Sequence, residues 1–370
     1  MLAMRSAAGT ALIAAALAMA VGVGPASADD ERVVHVYNWS DYIDESILQE
    51  FEAETGIRVV YDVFDSNDIL ETKLLAGKTG YDVVVPTGSF LGRQISAGIY
   101  KPLDKAKLPN LAHMSPEVIA RVAKYDPDNA HAIVYMWGTT GIGYNVGKIA
   151  AIDPSAPVDS WRLIFDPEMI KQFADCGIEM LDAPDEMIPA ALNYIGEDPD
   201  SKDPDVIAKA EPVLAAIRPY ITKFHSSQYI NDLANGDICI AVGWSGDILQ
   251  ARDRAAEAEA GVEVRYAIPK EGALMWFDMM AIPADAPHPD NAHLFLDYIM
   301  RPEVIAKASN YINYANGNAA SLEFVLDAVK NDAAIYPAPE VMAHLYTVTP
   351  YDQKAQRTLT RLWTRIKGAE

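Results

Sequence analysis

Three short motifs set indole rings beside carboxylates: "WSDY" at Trp39–Tyr42, "WSGD" at Trp244–Asp247 and "WFD" at Trp276–Asp278. An aromatic face attracts an ammonium through its ring quadrupole, at roughly 0.5–2 kcal/mol per contact. A carboxylate gives the same group a charge-assisted hydrogen bond. Several acids converging on one cleft require a compensating cation, because unpaired buried charge is costly. A linear di- or polyamine supplies the charges, and its methylenes suit the rings. Each motif also has a bland reading. A Trp at a strand end packs, and Asp41, Asp44 or Asp247 caps the helix that follows. Three motifs in separate segments favour a shared site. Carbohydrate is the competing ligand class, since it too uses aromatic platforms and acids. The chain has no nucleophile elbow, no "HExxH" and no Ser/His pattern, so no enzyme is expected.

The elements that must position these motifs alternate between strand and helix signals. Val33–Asn38 is a strand, Asp44–Thr55 a helix stopped by Gly56, and Ile57–Val63 a strand. Ser66 caps the next helix, and "YDVVVP" (Tyr81–Pro86) and a helix from Phe90 to Gly98 complete a βαβαβ series. A second series runs from "CGIEML" (Cys176–Leu181) through Pro184–Ile195, Ile221–His225, Ser226–Ala234 and "DICIAVGW" (Asp237–Trp244) to Glu263–Pro269. Two long extended runs, His131–Val146 and Met275–Pro283, join the series and are the natural crossings between two lobes. In open α/β sheets, ligands bind outside the carboxyl ends of the strands. The first two motifs stand at such ends, one in each series, and the third at a crossing. "GTTGIG" (138–143) lacks the spacing of a dinucleotide or phosphate loop and reads as glycines in a crossing strand. "EDPDSKDPDV" (197–206) lacks the glycine and closing glutamate of a calcium loop. It reads as a solvated loop, with Asp200 playing no part in the site.

Residues 1–28 read as a secretory signal peptide: Arg5, an apolar run from about Ala11 to Val23, and "ASA" before the cleavage point at Ala28. The run is short for a membrane span, and the mature chain is expected to be soluble and exported. Removing this segment takes away one basic residue and no acid, leaving 30 − 1 = 29 basic against 52 acidic residues, a formal charge of −23. That excludes a phosphate-binding face, so no nucleic-acid partner is expected. The acidity fits a cationic ligand, but it fits plain solubility better, because net charge speaks to solubility before it speaks to ligands. Cys176 and Cys239 read as one disulfide in an oxidising compartment, with a free buried pair as the alternative. The histidines are scattered and no metal site or cofactor is expected. The remaining 342 residues exceed what one core usually serves, so two domains are expected.

"VYNWSDYI", "VVYDVFDSND", "YMWGTTGIGYN", "FHSSQYINDLANGDICIAVGWSGD" and "IPKEG" resemble the periplasmic polyamine-binding proteins of bacterial ABC uptake systems, above all the putrescine-binding members. The resemblance extends over essentially the whole mature chain. It implies an α/β, two-lobed solute-binding protein of type II-like architecture, with mixed sheets flanked by helices and the ligand cleft between lobes. The expected lobes are 29–140 with 274–325, and 141–273 with 326–370. It implies a monomeric receptor that hands its amine to a membrane permease. Another small solute, such as a sugar or a metal complex, is the alternative. The matching ligand residues are Trp39, Ser40, Asp41, Tyr42, Thr87, Glu186, Trp244, Asp247, Trp276, Asp278 and Tyr314. The resemblance also implies that Cys176 and Cys239 are bonded. Two positions depart from the putrescine pattern. Thr87 replaces a serine and keeps the hydroxyl, whereas Trp276 stands where Phe is usual and where spermidine receptors carry Trp.

Overall fold

The computed structural model describes residues 32–259 and 261–368. The signal-peptide segment lies outside the described residues. Ten strands form one continuous sheet whose order is β2-β1-β3-β9-β4-β7-β5-β6, with β10 and β8 also pairing to β4. The strands are β1 (Val33–Trp39), β2 (Arg58–Phe64), β3 (Val83–Val84), β4 (Ala132–Asn145), β5 (Ile178–Met180), β6 (Lys223–Phe224), β7 (Ile240–Trp244), β8 (Val264–Ala267), β9 (Met275–Ala281) and β10 (Ala315–Asn316). β1 is parallel to both β2 and β3, and β5 is parallel to β6 and β7. The two long strands run antiparallel to their neighbours, so the sheet is mixed. Helices flank it in an α/β fold; the central strands β1, β4, β7 and β9 are buried on both faces, whereas the edge strand β2 is largely exposed or half-buried.

β4 divides the sheet in two. Its residues Ala132–Thr139 pair with β9, while Thr140–Asn145 pair with β7 and β8. The fourteen-residue strand is buried almost throughout and is shared by both sheet halves. A parallel strand returns its chain through a helix, so β1, β2 and β3 all end on the same side of the first half. β5, β6 and β7 do so in the second. The helices that follow begin where the sequence signals them. Asp44 caps α1 (Glu45–Thr55) through the Ser46 amide, and Ser66 caps α2 (Asn67–Ala76) through the Ile69 amide. α3 (Gly88–Ser96) follows β3 directly.

Some elements are shorter than their hydrophobic runs. "YDVVVP" contributes only the two ladder residues of β3, and "ITKFH" only the two of β6. Both runs remain largely buried or half-buried, because apolar content drives burial whether or not a ladder forms. Asp200 also differs from a merely solvated acid. Its carboxylate accepts from the backbone amide of Thr349 at 2.7 Å and pairs with Lys202 at 2.6 Å. It ties its loop to the C-terminal segment.

Cys176 and Cys239 form a disulfide, with Cα atoms 5.6 Å apart. It staples the start of β5 to the start of β7. Among the described residues no helix is long and apolar enough to cross a membrane, and no cluster of His, Cys, Asp and Glu is arranged to hold a metal. The disulfide spans 63 positions, for which chain entropy gives about 4 kcal/mol. Replacing both cysteines by alanine should therefore lower the urea midpoint and steepen the denaturant slope, because the unfolded chain is freed to expand. An unaltered midpoint would show that the bond adds nothing to stability.

Candidate functional site

The facing strand ends line a narrow cleft. Its lining includes Trp39, Ser40 and Tyr42 from the end of β1, Thr87 before α3, Trp276 and Asp278 from β9, and Tyr314 before β10. The second sheet half supplies Glu186, Trp244 and Asp247. Of the residues that the sequence assigned to a site, all but Asp41 line this one space. Aromatic walls with a few convergent polar groups match the character of a small-molecule site.

Each acid is held by donors from its surroundings. Asp278 Oδ2 accepts from the Tyr42 hydroxyl at 2.9 Å and Oδ1 from Thr87 Oγ1 at 2.7 Å. Asp247 Oδ2 accepts from Tyr229 at 2.8 Å and Oδ1 from Tyr314 at 2.7 Å. Glu186 Oε1 accepts from the Trp244 indole at 2.9 Å, and its Oε2 accepts from the Thr140 hydroxyl. Each carboxylate therefore uses about half of its four or so acceptor positions. Each acid keeps acceptor capacity for a cationic donor.

Asp247 occupies the first turn of the helix Ser245–Glu257 without capping it, since Trp244 is the residue at the cap position. The two tyrosines hold its side chain instead. Glu186 likewise sits in the first turn of the helix Pro184–Tyr194, but it is buried, not solvated.

The rings form a wall of edge contacts. Trp39 meets Trp244 across the cavity at 5.5 Å and 75°, and Tyr314 meets both Tyr42 and Trp276 at 5.3 Å. Two glycines make this packing possible. A Cβ at Gly138 would lie 2.7 Å from the Trp276 ring, and one at Gly246 would strike Tyr314. The glycines that read as easing a crossing strand thus include one that admits a site ring. The indole N–H of Trp39 is spent on the carbonyl of Val85 at 2.9 Å, so this ring offers its faces and edges. The Trp276 N–H has no protein acceptor.

Asp41 is the exception. It adopts a left-handed backbone conformation (φ 53), and its side chain is 48% exposed. Its carboxylate accepts from Arg254 Nη2 at 3.0 Å. The turn that carries Ser40 and Tyr42 to the cavity carries the intervening side chain away from it. The pair joins the loop after β1 to the helix after β7, and so spans the two sheet halves. Asp65, Ser226 and Ser227 also line the cavity and were not singled out in the sequence. Asp65 follows β2, and the same strand-end rule that picked out Trp39 applies to it.

Burial is the largest cause in raising all three acids. It pushes Glu186 up to about 8, with the nearby Asp185 adding to the effect. Asp278 is pushed to about 7 and Asp247 to about 6, while the hydroxyl donors pull both back down. The lining contains Asp65 as a fourth acid and no lysine, arginine or histidine. The cavity can therefore stabilise positive charge, and ionising its acids without a cation is unfavourable.

Comparison with known proteins follows the same direction. A sequence profile described as bacterial extracellular solute-binding protein matches residues 46–338. The chain is 53% identical over 363 residues to the putrescine-binding periplasmic protein SpuD of Pseudomonas aeruginosa, covering 98% of this chain and 99% of that protein. It is 32% identical to the spermidine/putrescine-binding periplasmic protein of Escherichia coli, covering 89% and 90%. Among solved structures, the spermidine/putrescine ABC transporter substrate-binding protein PotD from Streptococcus pneumoniae superposes with a TM-score of 0.74 at 29% identity, covering 91% and 98%.

An acid whose pKa is higher in the folded than in the unfolded state stabilises the fold at pH below its unfolded value. That contribution is lost as pH rises through the folded value. With folded values near 6, 7 and 8, the loss runs from about pH 4 to about pH 8. The melting temperature of the unliganded protein should therefore fall across this window. The double variant Glu186→Gln, Asp278→Asn should flatten the slope. Equal slopes in the two proteins would show that these acids are not the cause.

Proposed function

The chain belongs to the bacterial extracellular solute-binding protein family, and from that premise we propose that it is a periplasmic receptor for a linear polyamine, putrescine or spermidine. The carrying observation is a cavity walled by rings and lined by four acids with no basic side chain. Such a site disfavours anions and leaves a neutral solute facing uncompensated acids, whereas a di- or triammonium supplies the missing charge. Asp247, Asp278 and Glu186 take the ammonium groups. Trp39, Trp244, Trp276 and Tyr314 cover the methylenes between them. Burying a methylene is worth about 0.8 kcal/mol, so four contribute roughly 3 kcal/mol before the charged contacts are counted.

The two sheet halves act as lobes, 29–140 with 274–325 and 141–273 with 326–370. β4 and β9 are the elements that flex as the lobes open, and Asp41–Arg254 is a clasp in the closed form. The receptor is a monomer that releases its amine unchanged to an ABC permease. Binding a dication to acids that are partly protonated expels protons, so affinity should rise from pH 5.5 to pH 8.

Calorimetry should give a Kd of about 1 μM or tighter for at least one of the two amines, a free energy near or beyond about −8 kcal/mol. Failure of both to bind, with spermine and cadaverine also silent, removes the proposal. Asp278→Asn and Trp244→Ala should each weaken binding by more than about tenfold, since each takes away a contact made inside a desolvated site. Trp276→Phe should shift the ratio of putrescine to spermidine affinity toward putrescine. An unchanged ratio would show that this ring does not set the preference.

A further inference from the structure

We propose that an exposed apolar patch beside the cleft is the surface on which a permease docks, and that its partner is a basic, apolar periplasmic loop of that permease. The inference rests on the receptor reading above and adds the face that the reading leaves open. Four large side chains, Tyr311, Leu322, Phe324 and Leu326, are 41–59% exposed within sixteen residues of sequence. Single exposed apolar residues are ordinary, but a group of this kind is not. The group is held in one place. Asn310 Nδ2 donates to the Phe324 carbonyl at 3.2 Å, and Asn310 Oδ1 accepts from the Leu326 amide at 2.8 Å. Tyr311 and Phe324 share a shallow groove with Asp44, Glu303, Lys307 and Asn310.

The patch borders the seam between the sheet halves. The residues after Tyr311 reach across that seam. The Ile312 carbonyl faces the Gln250 amide at 3.5 Å, and Asn313 Nδ2 donates to Asp253 at 2.8 Å. The next residue, Tyr314, is in the cavity and donates to Asp247. On the other side, Asp44 lies two residues beyond Tyr42. A partner seated here touches the chain segments that lead directly into the ligand site.

Charge decides the occupant. The groove carries Asp44 and Glu303 against Lys307, whose partner is Glu50, and Glu323 and Asp327 adjoin Phe324 and Leu326 in the chain, with Lys330 one turn on. Both lysines are already drawn to acids, Lys307 to Glu50 at 2.7 Å and Lys330 to Asp327 at 2.9 Å. A second copy would bring the same acids face to face, on top of a formal chain charge of −22. An anionic lipid surface would be repelled in the same way. A loop with lysine or arginine beside an apolar side chain complements both the rim and the patch.

The test uses the full chain in bacterial cells that carry the cognate permease and lack their own copy of the receptor. Uptake of radiolabelled putrescine and spermidine is measured for the wild type, the double variant Phe324→Ser, Leu326→Ser, and Glu323→Lys. Both variants should lower uptake by at least about fivefold, as expected for lost interface contacts. The Kd of the purified protein for the same amines should stay within about twofold, and its melting temperature should not change. Wild-type uptake by both variants overturns the proposal. So does a parallel loss of amine affinity, which would place the patch in the binding site. A wild-type dimer in sedimentation velocity that the variants dissociate assigns the patch to a second copy instead. If the wild-type protein binds neither amine, the receptor reading fails first; if it binds and the variants transport normally, only the docking assignment fails.

Discussion

Burial of several carboxyl groups in one space without a counter-cation is the constraint on which the rest of the structure depends. An isolated carboxylate taken out of water is too costly to keep, so each acid must be supplied with donors or be neutralised. Asp278, Asp247 and Glu186 are supplied with phenols, hydroxyls and an indole, and burial still holds all three above their usual range. The donors themselves must then be fixed. Tyr42 stacks edge-on against Tyr135 and Tyr314, and Tyr229 also accepts from the Trp244 amide at 3.2 Å. The aromatic wall is thus both a surface for methylenes and the scaffold that keeps the acids in register.

The sheet carries that constraint outward. Among the described residues β4 is the only strand that pairs within both halves, and the switch between its partners falls at Thr139 and Thr140. Thr140 also donates to Glu186, so the point where the halves meet is bonded to a site acid. Gly138, one residue before the switch, leaves room for the Trp276 ring that its paired strand presents. Backbone topology and site chemistry meet within three residues. Polar contacts span the halves, Asp41 with Arg254, Asn313 with Asp253 and Tyr314 with Asp247, beside the ring contact of Trp39 with Trp244. Polar contacts separate more easily than apolar ones, because water replaces each lost hydrogen bond.

Much of this was legible in the sequence, for identifiable reasons. Apolar runs ending in Trp-Ser-Asp or Trp-Ser-Gly-Asp mark strands whose ends carry polar chemistry, and parallel topology puts such ends on one side. The helix starts at Asp44 and Ser66 were readable because capping is local. Strand length was not. "YDVVVP" and "ITKFH" look like full strands, yet a ladder depends on a neighbour that lies far away in sequence. Asp65, Ser226 and Ser227 carried no chemical signal of their own beyond their position after a strand, and Tyr229 and Thr140 entered only within the motifs that carry the resemblance.

The sequence by itself determined the residue types available and the elements that bear them, since capping, periodicity and strand-end position act over a few residues. It could not decide orientation. Asp41 sits between two residues that line the cavity and has the same charge as Asp278, yet its left-handed backbone turns it toward Arg254. Asp247 could have capped a helix, but two tyrosines from distant segments claim it. Which acids end up buried together, and therefore which of them need a cation, depends on contacts between segments separated by up to 236 positions. Only the tertiary structure brings those segments within reach of one another.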